Sequence, residues 1–199
     1  MAGVWWPYIV GTALSGVGLV YLLCRTSEYR WLRIVAYTDP WKYRDSPAGF
    51  HLIQSLAAFA RGGVWGQGLG ASEQKLAYLP EAHNDFVFAV WGEETGLIGT
   101  LFVVMLFALL LIVALRIAVC APDMLGALLA AGIASLITVQ ALFNMAVTTG
   151  LLPTKGLPLP FISVGGSALV VNLTSIGILL NIGLQARERE PGRLPALAR

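Results

Sequence analysis

The chain has 199 residues, of which 57% are hydrophobic and only 12% are charged. Soluble domains carry about 25% charged residues, so this composition excludes an ordinary soluble protein and indicates a chain that crosses a membrane. The net charge of +2 is small and no dense basic cluster is present, which argues against a nucleic-acid partner. The two cysteines, Cys24 and Cys120, do not make a disulfide framework.

Four apolar stretches are long enough for membrane-spanning helices, which need about 20 residues each. We predict spans at residues 4–24, 97–115, 124–145 and 161–184. The fold class is therefore all-α, a polytopic transmembrane protein. Residues 86–91 either extend the second span or form a short half-buried piece. In the third span, Gly126 and Ala130 form a small-xxx-small pair suited to close helix packing.

Two of the predicted spans carry polar side chains along one helical face. The polar positions recur every four residues in the third span and every seven in the fourth: Gln140, Asn144 and Thr148, then Ser167, Thr174 and Asn181. Hydrogen bonding between helices is the simpler role for such residues, and contact with a ligand is the alternative.

A long polar loop, residues 25–85, separates the first two spans. Within it, residues 50–61 have the spacing of an amphipathic helix, with Leu52 and Leu56 on the apolar face and Ser55 on the polar face. Such a helix suits the membrane surface and should end at Gly62-Gly63. The five glycines of residues 62–70 predict a hinge or a close-packed turn, although a phosphate cradle remains the alternative.

Acidic residues gather where this loop meets the second span. Carboxylates are costly at the edge of a bilayer, so their presence indicates function, and Asp85 is the strongest candidate. The competing interpretation is that Asp85 only caps the helix that follows. Of Glu93 and Glu94, one should face a cavity and the other should pair with a cation.

The segment between the third and fourth spans, residues 150–167, contains three prolines and four glycines, which forbid a continuous helix. Irregular backbone at this depth is tolerated only inside protein or beside a wet cavity. Its one cation is Lys155. Four arginines in the C-terminal tail place that tail in the cytoplasm, so Asp85, Lys155 and the glycine-rich stretch share the outer face.

Three motifs now point to one family. They are Leu79-Pro-Glu-Ala-His-Asn-Asp-Phe-Val-Phe, Glu93-Glu-Thr-Gly, and Leu152-Pro-Thr-Lys-Gly-Leu-Pro-Leu-Pro-Phe-Ile-Ser-Val-Gly-Gly-Ser. Together with the glycines before them, they resemble the SEDS family (FtsW, RodA and SpoVE). The Glu-Ala-His variant is more similar to the division branch, FtsW, than to the elongation branch. The resemblance covers residues 4–185 and matches the last four of the family's ten spans.

The resemblance implies a peptidoglycan glycosyltransferase that polymerises lipid II onto a glycan held on undecaprenyl diphosphate. The reaction would run at the outer face of the bacterial plasma membrane during cell division. Asp85 matches the family's essential aspartate and is the expected catalytic base. The candidate substrate-binding residues are Lys75, Glu81, His83, Asn144, Lys155, Ser163, Gly165, Gly166 and Ser167.

No cofactor is certain, but a divalent cation, Mg²⁺ or Mn²⁺, is compatible with the site. The implied partners are lipid II, membrane lipids and a class B penicillin-binding protein, which is a transpeptidase. Residues 1–185 would form part of the transmembrane domain, and residues 186–199 a cytoplasmic tail. Two alternatives stay open: a flippase for lipid-linked precursors, and a non-catalytic fragment or interaction module.

Overall fold

The computed structural model describes residues 6–72 and 85–189. In these ranges the protein contains no β-strand and six α-helices: α1 (Trp6–Arg25), α2 (Glu28–Thr38), α3 (Pro47–Gly62), α4 (Val87–Cys120), α5 (Met124–Thr148) and α6 (Gly166–Arg189). The all-α prediction is confirmed. Helices α1, α4, α5 and α6 are long and apolar enough to cross a membrane, which indicates a multi-pass membrane protein.

The helix bounds differ most from the predicted spans in α4 and α6, which end at Cys120 and Arg189, five residues later than predicted. Helix α4 begins at Val87, ten residues before the predicted span, and is interrupted at Gly96, where φ is 66° and ψ is −162°. Residues 86–91 thus extend the second helix across a kink. Helix α6 begins at Gly166, because residues 161–165 still form turns of the preceding segment.

The chain divides into two compact units, residues 1–53 and 54–199. In the first unit, α1 contacts α2, a short helix that the sequence patterns did not predict. The first seven residues of α3, residues 47–53, also belong to this unit. Ser46 precedes Pro47 and accepts a hydrogen bond from the Gly49 N–H through its Oγ, at 3.2 Å, so that it caps the helix.

The predicted amphipathic helix is confirmed as α3, and it ends at Gly62 with Gly63 in the left-handed region at φ 54°. Its faces were assigned only partly correctly. Ser55, expected on the polar outer face, is fully buried, and its hydroxyl donates to the Thr148 carbonyl at 2.6 Å. Leu56, expected on the buried face, is 39% exposed. Because α3 packs through its polar Ser55 side, its position is fixed by a hydrogen bond as well as by apolar contact.

Helices α4, α5 and α6 pack together around two apolar clusters in the second unit. One cluster is built mainly from small and β-branched side chains, with Ala114 and Ala118 of α4 against Ala130 and Ala134 of α5. A Cβ placed on Gly126 would lie 3.5 Å from Ile182 of α6, an ordinary contact distance. The predicted Gly126–Ala130 pair therefore lies where the helices approach closely, as expected of such pairs.

The outward face of α4 is apolar. Its large side chains at these positions are at least half exposed: Leu101, Phe102, Met105, Leu109 and Ile112. A soluble protein rarely shows so large an exposed apolar surface, whereas a membrane-spanning helix needs one to contact lipid. The packing of the second unit therefore agrees with the composition of the chain.

Candidate active site

Asp85 lies in the turn immediately before α4 and is partly exposed. The residue at the N-cap position of α4 is Phe86, one residue later. The Asp85 carboxylate lies against the Cα of Gly156: a Cβ built on Gly156 would be 2.8 Å from Oδ2 and 3.6 Å from Cγ of Asp85. Two residues that are 71 positions apart in the chain therefore meet at the candidate catalytic carboxylate. Residue 156 has no room for a side chain while that carboxylate keeps its position.

Gly156 is the centre of a tight three-residue turn. The Leu157 N–H donates to the Lys155 carbonyl at 2.9 Å, which folds the chain sharply around Gly156. Lys155 is exposed, and its Nζ lies 5.8 Å from the centre of the Phe143 ring, within the range of a cation–π interaction. The structure thus brings Lys155 to the same turn whose glycine contacts Asp85.

Asn144 is buried at the base of this arrangement and is only 2% exposed. Its Nδ2 donates to the Asp85 carbonyl at 2.8 Å and to the Leu157 carbonyl at 2.6 Å. One turn earlier on α5, Gln140 donates to the Pro158 carbonyl at 2.9 Å. The polar face predicted on α5 therefore holds the backbone of the 150–167 segment, in agreement with the hydrogen-bonding interpretation of that stripe.

The polar face predicted on α6 behaves differently. Ser167, Thr174 and Asn181 are all exposed in the second unit. The Thr174 hydroxyl donates to the Val170 carbonyl of its own helix at 2.8 Å. This stripe makes no interhelical hydrogen bond among those described for residues 6–72 and 85–189, so its side chains are open on the surface of the second unit.

The remaining predicted residues of the hairpin lie towards the start of α6. Ser163 Oγ accepts a hydrogen bond from the Leu159 N–H at 2.7 Å and so closes the turn that precedes the helix. A Cβ on Gly165 would meet only Ala168, at 3.5 Å, and one on Gly166 would meet nothing within 4 Å. These contacts are local, and they shape the end of the hairpin where α6 begins.

The glycine-rich stretch is a close-packed turn against the kink of α4. The interruption at Gly96 frees main-chain groups on both sides of it, and the glycine-rich stretch supplies their partners. Gln67 N–H and Gly68 N–H donate to the carbonyls of Glu93 and Glu94, each at 3.0 Å. In return, the Leu97 N–H donates to the stretch through the Gly63 carbonyl at 2.9 Å. The N–H groups of residues 67 and 68 are thus bonded to α4, as expected of a close-packed turn.

Glu93 makes a second, side-chain attachment beside this kink. Its carboxylate is 1% exposed, accepts a hydrogen bond from the buried Ser72 hydroxyl, and lies 3.6 Å from Arg61 Nη1. The sequence left open which of the two glutamates pairs with a cation, and the structure assigns that role to Glu93. Ser72 was not singled out from the sequence, since a lone serine in a glycine-rich stretch carries no signal of its own.

Three predicted residues, Lys75, Glu81 and His83, lie outside the described residues. Within residues 6–72 and 85–189, no group of three or more His, Cys, Asp or Glu side chains is placed to hold a metal ion. The possible divalent cation therefore stays a prediction.

An apolar groove opens beside the site, with a volume of about 500 Å³. It lies between α3, α4 and α5 and is lined by apolar side chains such as Phe59, Phe88 and Leu142. The polar residues that line it are Thr100 and Thr149. Phe88, in the first turn of α4, lines the groove and is three residues from Asp85, which lies just before that helix.

Comparison with known proteins gives one consistent answer. The sequence matches the family described as "Cell cycle protein" (FtsW/RodA/SpoVE) over residues 1–188. It is 49% identical to the probable peptidoglycan glycosyltransferase FtsW of Geobacter sulfurreducens over 180 residues, which cover 90% of this chain and 48% of that protein. It is 46% identical to stage V sporulation protein E of Bacillus subtilis over 177 residues, which cover 87% of this chain and 46% of that protein.

A solved structure from work on the structural coordination of polymerization and crosslinking by a peptidoglycan synthase complex is also similar. It matches with a TM-score of 0.70 and 28% identity, covering 92% of this chain and 50% of that one. The chain spans about half the length of the curated relatives it matches. The family match and the relatives agree with the resemblance stated from the motifs, and the chain belongs to the FtsW/RodA/SpoVE family.

Proposed function

We propose that this chain acts in peptidoglycan glycosyl transfer, polymerising lipid II into glycan strands, with Asp85 as the general base. The observation that carries the proposal is the contact between the partly exposed Asp85 carboxylate and Gly156, next to the exposed Lys155. A base and a cation are thereby held at one turn. The names of the relatives, peptidoglycan glycosyltransferases, support the reaction class.

In the proposed reaction, a sugar hydroxyl of lipid II attacks the anomeric carbon of the glycan carried on undecaprenyl diphosphate. The new carbon–oxygen bond forms as the bond to the diphosphate breaks, with inversion at that carbon. The bonding electron pair leaves with the diphosphate, and Asp85 takes the proton from the hydroxyl. A positioned base of this kind contributes about 10²–10⁴-fold to the rate.

The leaving diphosphate needs positive charge rather than a general acid, because it is already a stable anion. Lys155 is proposed to contact it, since lysine is an ordinary point-charge partner for phosphate. Lys75 is proposed for the same role. Glu81, His83 and the hairpin end at Ser163, Gly165, Gly166 and Ser167 remain proposed substrate contacts.

The proposed setting is the extracytoplasmic face of the bacterial plasma membrane, during cell division. Substrate linked to a polyprenyl diphosphate lies in a bilayer, which agrees with the four candidate spans. A class B penicillin-binding protein is the proposed partner. The similar structure comes from a complex that joins polymerization to crosslinking, which supports a transpeptidase in that place.

The test is polymerisation of lipid II in liposomes that hold the chain and its transpeptidase, comparing wild type with Asp85→Asn. A matched control is Asp123→Asn, since Asp123 caps α5 by accepting from the Gly126 N–H at 3.3 Å and asparagine caps a helix equally well. Repeating the assay with EDTA, and then with Mg²⁺ or Mn²⁺ restored, tests the need for a divalent cation.

Glycan strands from wild type and Asp123→Asn, but none from Asp85→Asn, would support the proposal. Undiminished polymerisation by Asp85→Asn would remove Asp85 as the base. If lipid II crosses the bilayer equally in both proteins while neither forms strands, the flippase alternative would replace the polymerase.

A further inference from the structure

We propose that Asn144 is a positioning residue for the transfer reaction: its buried amide holds the Asp85 turn against the Lys155–Leu157 turn. The inference rests on the proposed function for the roles of Asp85 and Lys155. It assigns the Asn144 amide to main-chain carbonyls of the protein, whereas the sequence analysis gave Asn144 as a candidate substrate-binding residue.

The two hydrogen bonds of Asn144 identify its amide nitrogen without ambiguity. The acceptors are both main-chain carbonyls, of Asp85 at 2.8 Å and of Leu157 at 2.6 Å. Only the NH₂ group can donate twice, and the opposite amide orientation would set the Asn144 oxygen against two other oxygens. A single side chain on α5 therefore bridges the segment before α4 and the segment before α6.

The bridge acts on the two groups of interest through short pieces of chain. The Asp85 carbonyl belongs to the same residue as the catalytic carboxylate. The Leu157 carbonyl belongs to the last residue of the three-residue turn, in which the Leu157 N–H donates to the Lys155 carbonyl at 2.9 Å. The central residue of that turn, Gly156, touches the Asp85 carboxylate. Fixing both carbonyls therefore fixes the separation of Asp85 from Gly156, and with it the path of the chain at Lys155.

Burial separates positioning from substrate contact. Asn144 is 2% exposed, whereas Asp85 is partly exposed and Lys155 is exposed. The Asn144 Oδ1 is buried and has no hydrogen-bond partner within residues 6–72 and 85–189. Burying an amide oxygen without a hydrogen-bond donor costs free energy, and an apolar side chain of similar size would not have this cost. Stabilising the fold is therefore a poor explanation for an amide at this position. The polar group at residue 144 is therefore best explained by the two carbonyls that it holds.

The first test measures geometry and needs no activity. Cysteines replace Asp85 and Gly156 in a chain whose own Cys24 and Cys120 are changed to alanine. A Cβ at residue 156 would lie 3.6 Å from Cγ of Asp85, the position that the Sγ of a cysteine at residue 85 would take, so the two cysteine sulfurs can meet to form a disulfide. The rate of disulfide formation is compared in three versions: Asn144 unchanged, Asn144→Leu, and the control Gln140→Leu.

Gln140 is a suitable control because its side chain donates to the Pro158 carbonyl of the same hairpin, and this hydrogen bond does not involve Asp85. The expected result is rapid crosslinking in the unchanged and Gln140→Leu versions and a severalfold slower reaction in Asn144→Leu. Equal rates in all three would overturn the positional role, whatever the enzymatic results.

The second test separates positioning from substrate binding in the polymerase, with Asp85 and Gly156 intact. Asn144→Asp keeps the shape of the side chain but loses its NH₂ donors, and Asn144→Leu loses all polarity. Both are expected to lower kcat about 10–100-fold with little change in KM, as for a reacting group that is slightly misplaced. A raised KM with unchanged kcat would instead assign Asn144 to substrate binding and overturn the inference.

Discussion

The contact between Asp85 and Gly156 predicts that a single methyl group will impair catalysis without unfolding the protein. In Gly156→Ala, the new Cβ would lie 2.8 Å from Oδ2 of Asp85, whereas ordinary contacts begin at 3.4 Å. The carboxylate must therefore retreat by about 0.6 Å. Since a misplacement of about 1 Å can cost 10²-fold in rate, we expect kcat to fall about tenfold.

Stability should respond differently, because the methyl group meets only the end of one side chain. Gly156 is not in the left-handed region of backbone conformation and is exposed, so alanine fits its backbone. Replacing such a glycine reduces the freedom of the unfolded chain and commonly adds about 0.4–1 kcal/mol of stability. The melting temperature of Gly156→Ala should therefore equal or slightly exceed that of wild type.

The assay is the initial rate of glycan-strand formation from lipid II, with thermal unfolding measured on the same preparations. Gly132→Ala is the matched control, because a Cβ at Gly132 in α5 meets nothing within 4 Å. It should retain the wild-type rate. If Gly156→Ala also kept the wild-type kcat while Asp85→Asn was inactive, the contact with Gly156 would not control the reacting carboxylate, and the reasoning would be refuted.

Two further predictions concern the attachment of the glycine-rich stretch to α4. Glu93→Ala removes the acceptor of the buried Ser72 hydroxyl and the partner of Arg61. We expect the free energy of unfolding to fall by about 1–3 kcal/mol, measured as a lower melting temperature, and to fall less in Glu93→Gln. Gly66→Ala should lower the melting temperature more than Gly70→Ala. Both glycines have positive φ, so backbone strain affects both variants. However, a Cβ at Gly66 would lie 2.2 Å from a main-chain oxygen of α4, whereas a Cβ at Gly70 would meet nothing within 4 Å. Equal melting temperatures for the two alanine variants would show that the stretch does not pack closely on α4.

Much of the helical architecture could be predicted because it depends on local properties of the chain. Runs of uncharged residues set the candidate spans, and the prolines and glycines of residues 150–167 excluded a helix there. Helix α2 was missed because its 11 residues, Glu28–Thr38, carry charges and no long apolar run. The kink in α4 was also missed, since nothing adjacent to Gly96 in the sequence shows that the stretch at residues 63–68 will supply its hydrogen bonds.

The site could be predicted by residue but not by arrangement. The motifs singled out Asp85 and Lys155, and the four-residue spacing of Gln140, Asn144 and Thr148 correctly placed those three on one face. The contact of Asp85 with Gly156 joins residues 71 positions apart, so no local pattern encodes it. Nor could the sequence distinguish an asparagine that binds substrate from one that binds two carbonyls, because only the burial of Asn144 and its distances separate these roles.

The two ends of the segment that carries Lys75, Glu81 and His83 are each fixed in the described structure. At one end, Ser72 bonds to the buried Glu93 carboxylate; at the other, the Asp85 carbonyl bonds to the buried Asn144 amide. The two bonds are made by side chains of α4 and α5, which are both candidate membrane spans. Substitutions at Glu93 and Asn144 therefore act on opposite ends of one segment. If that segment presents substrate to Asp85, combining Glu93→Ala, which removes the acceptor of the Ser72 hydroxyl, with Asn144→Asp should lower kcat by more than the product of the single effects, since either bond alone still fixes one end.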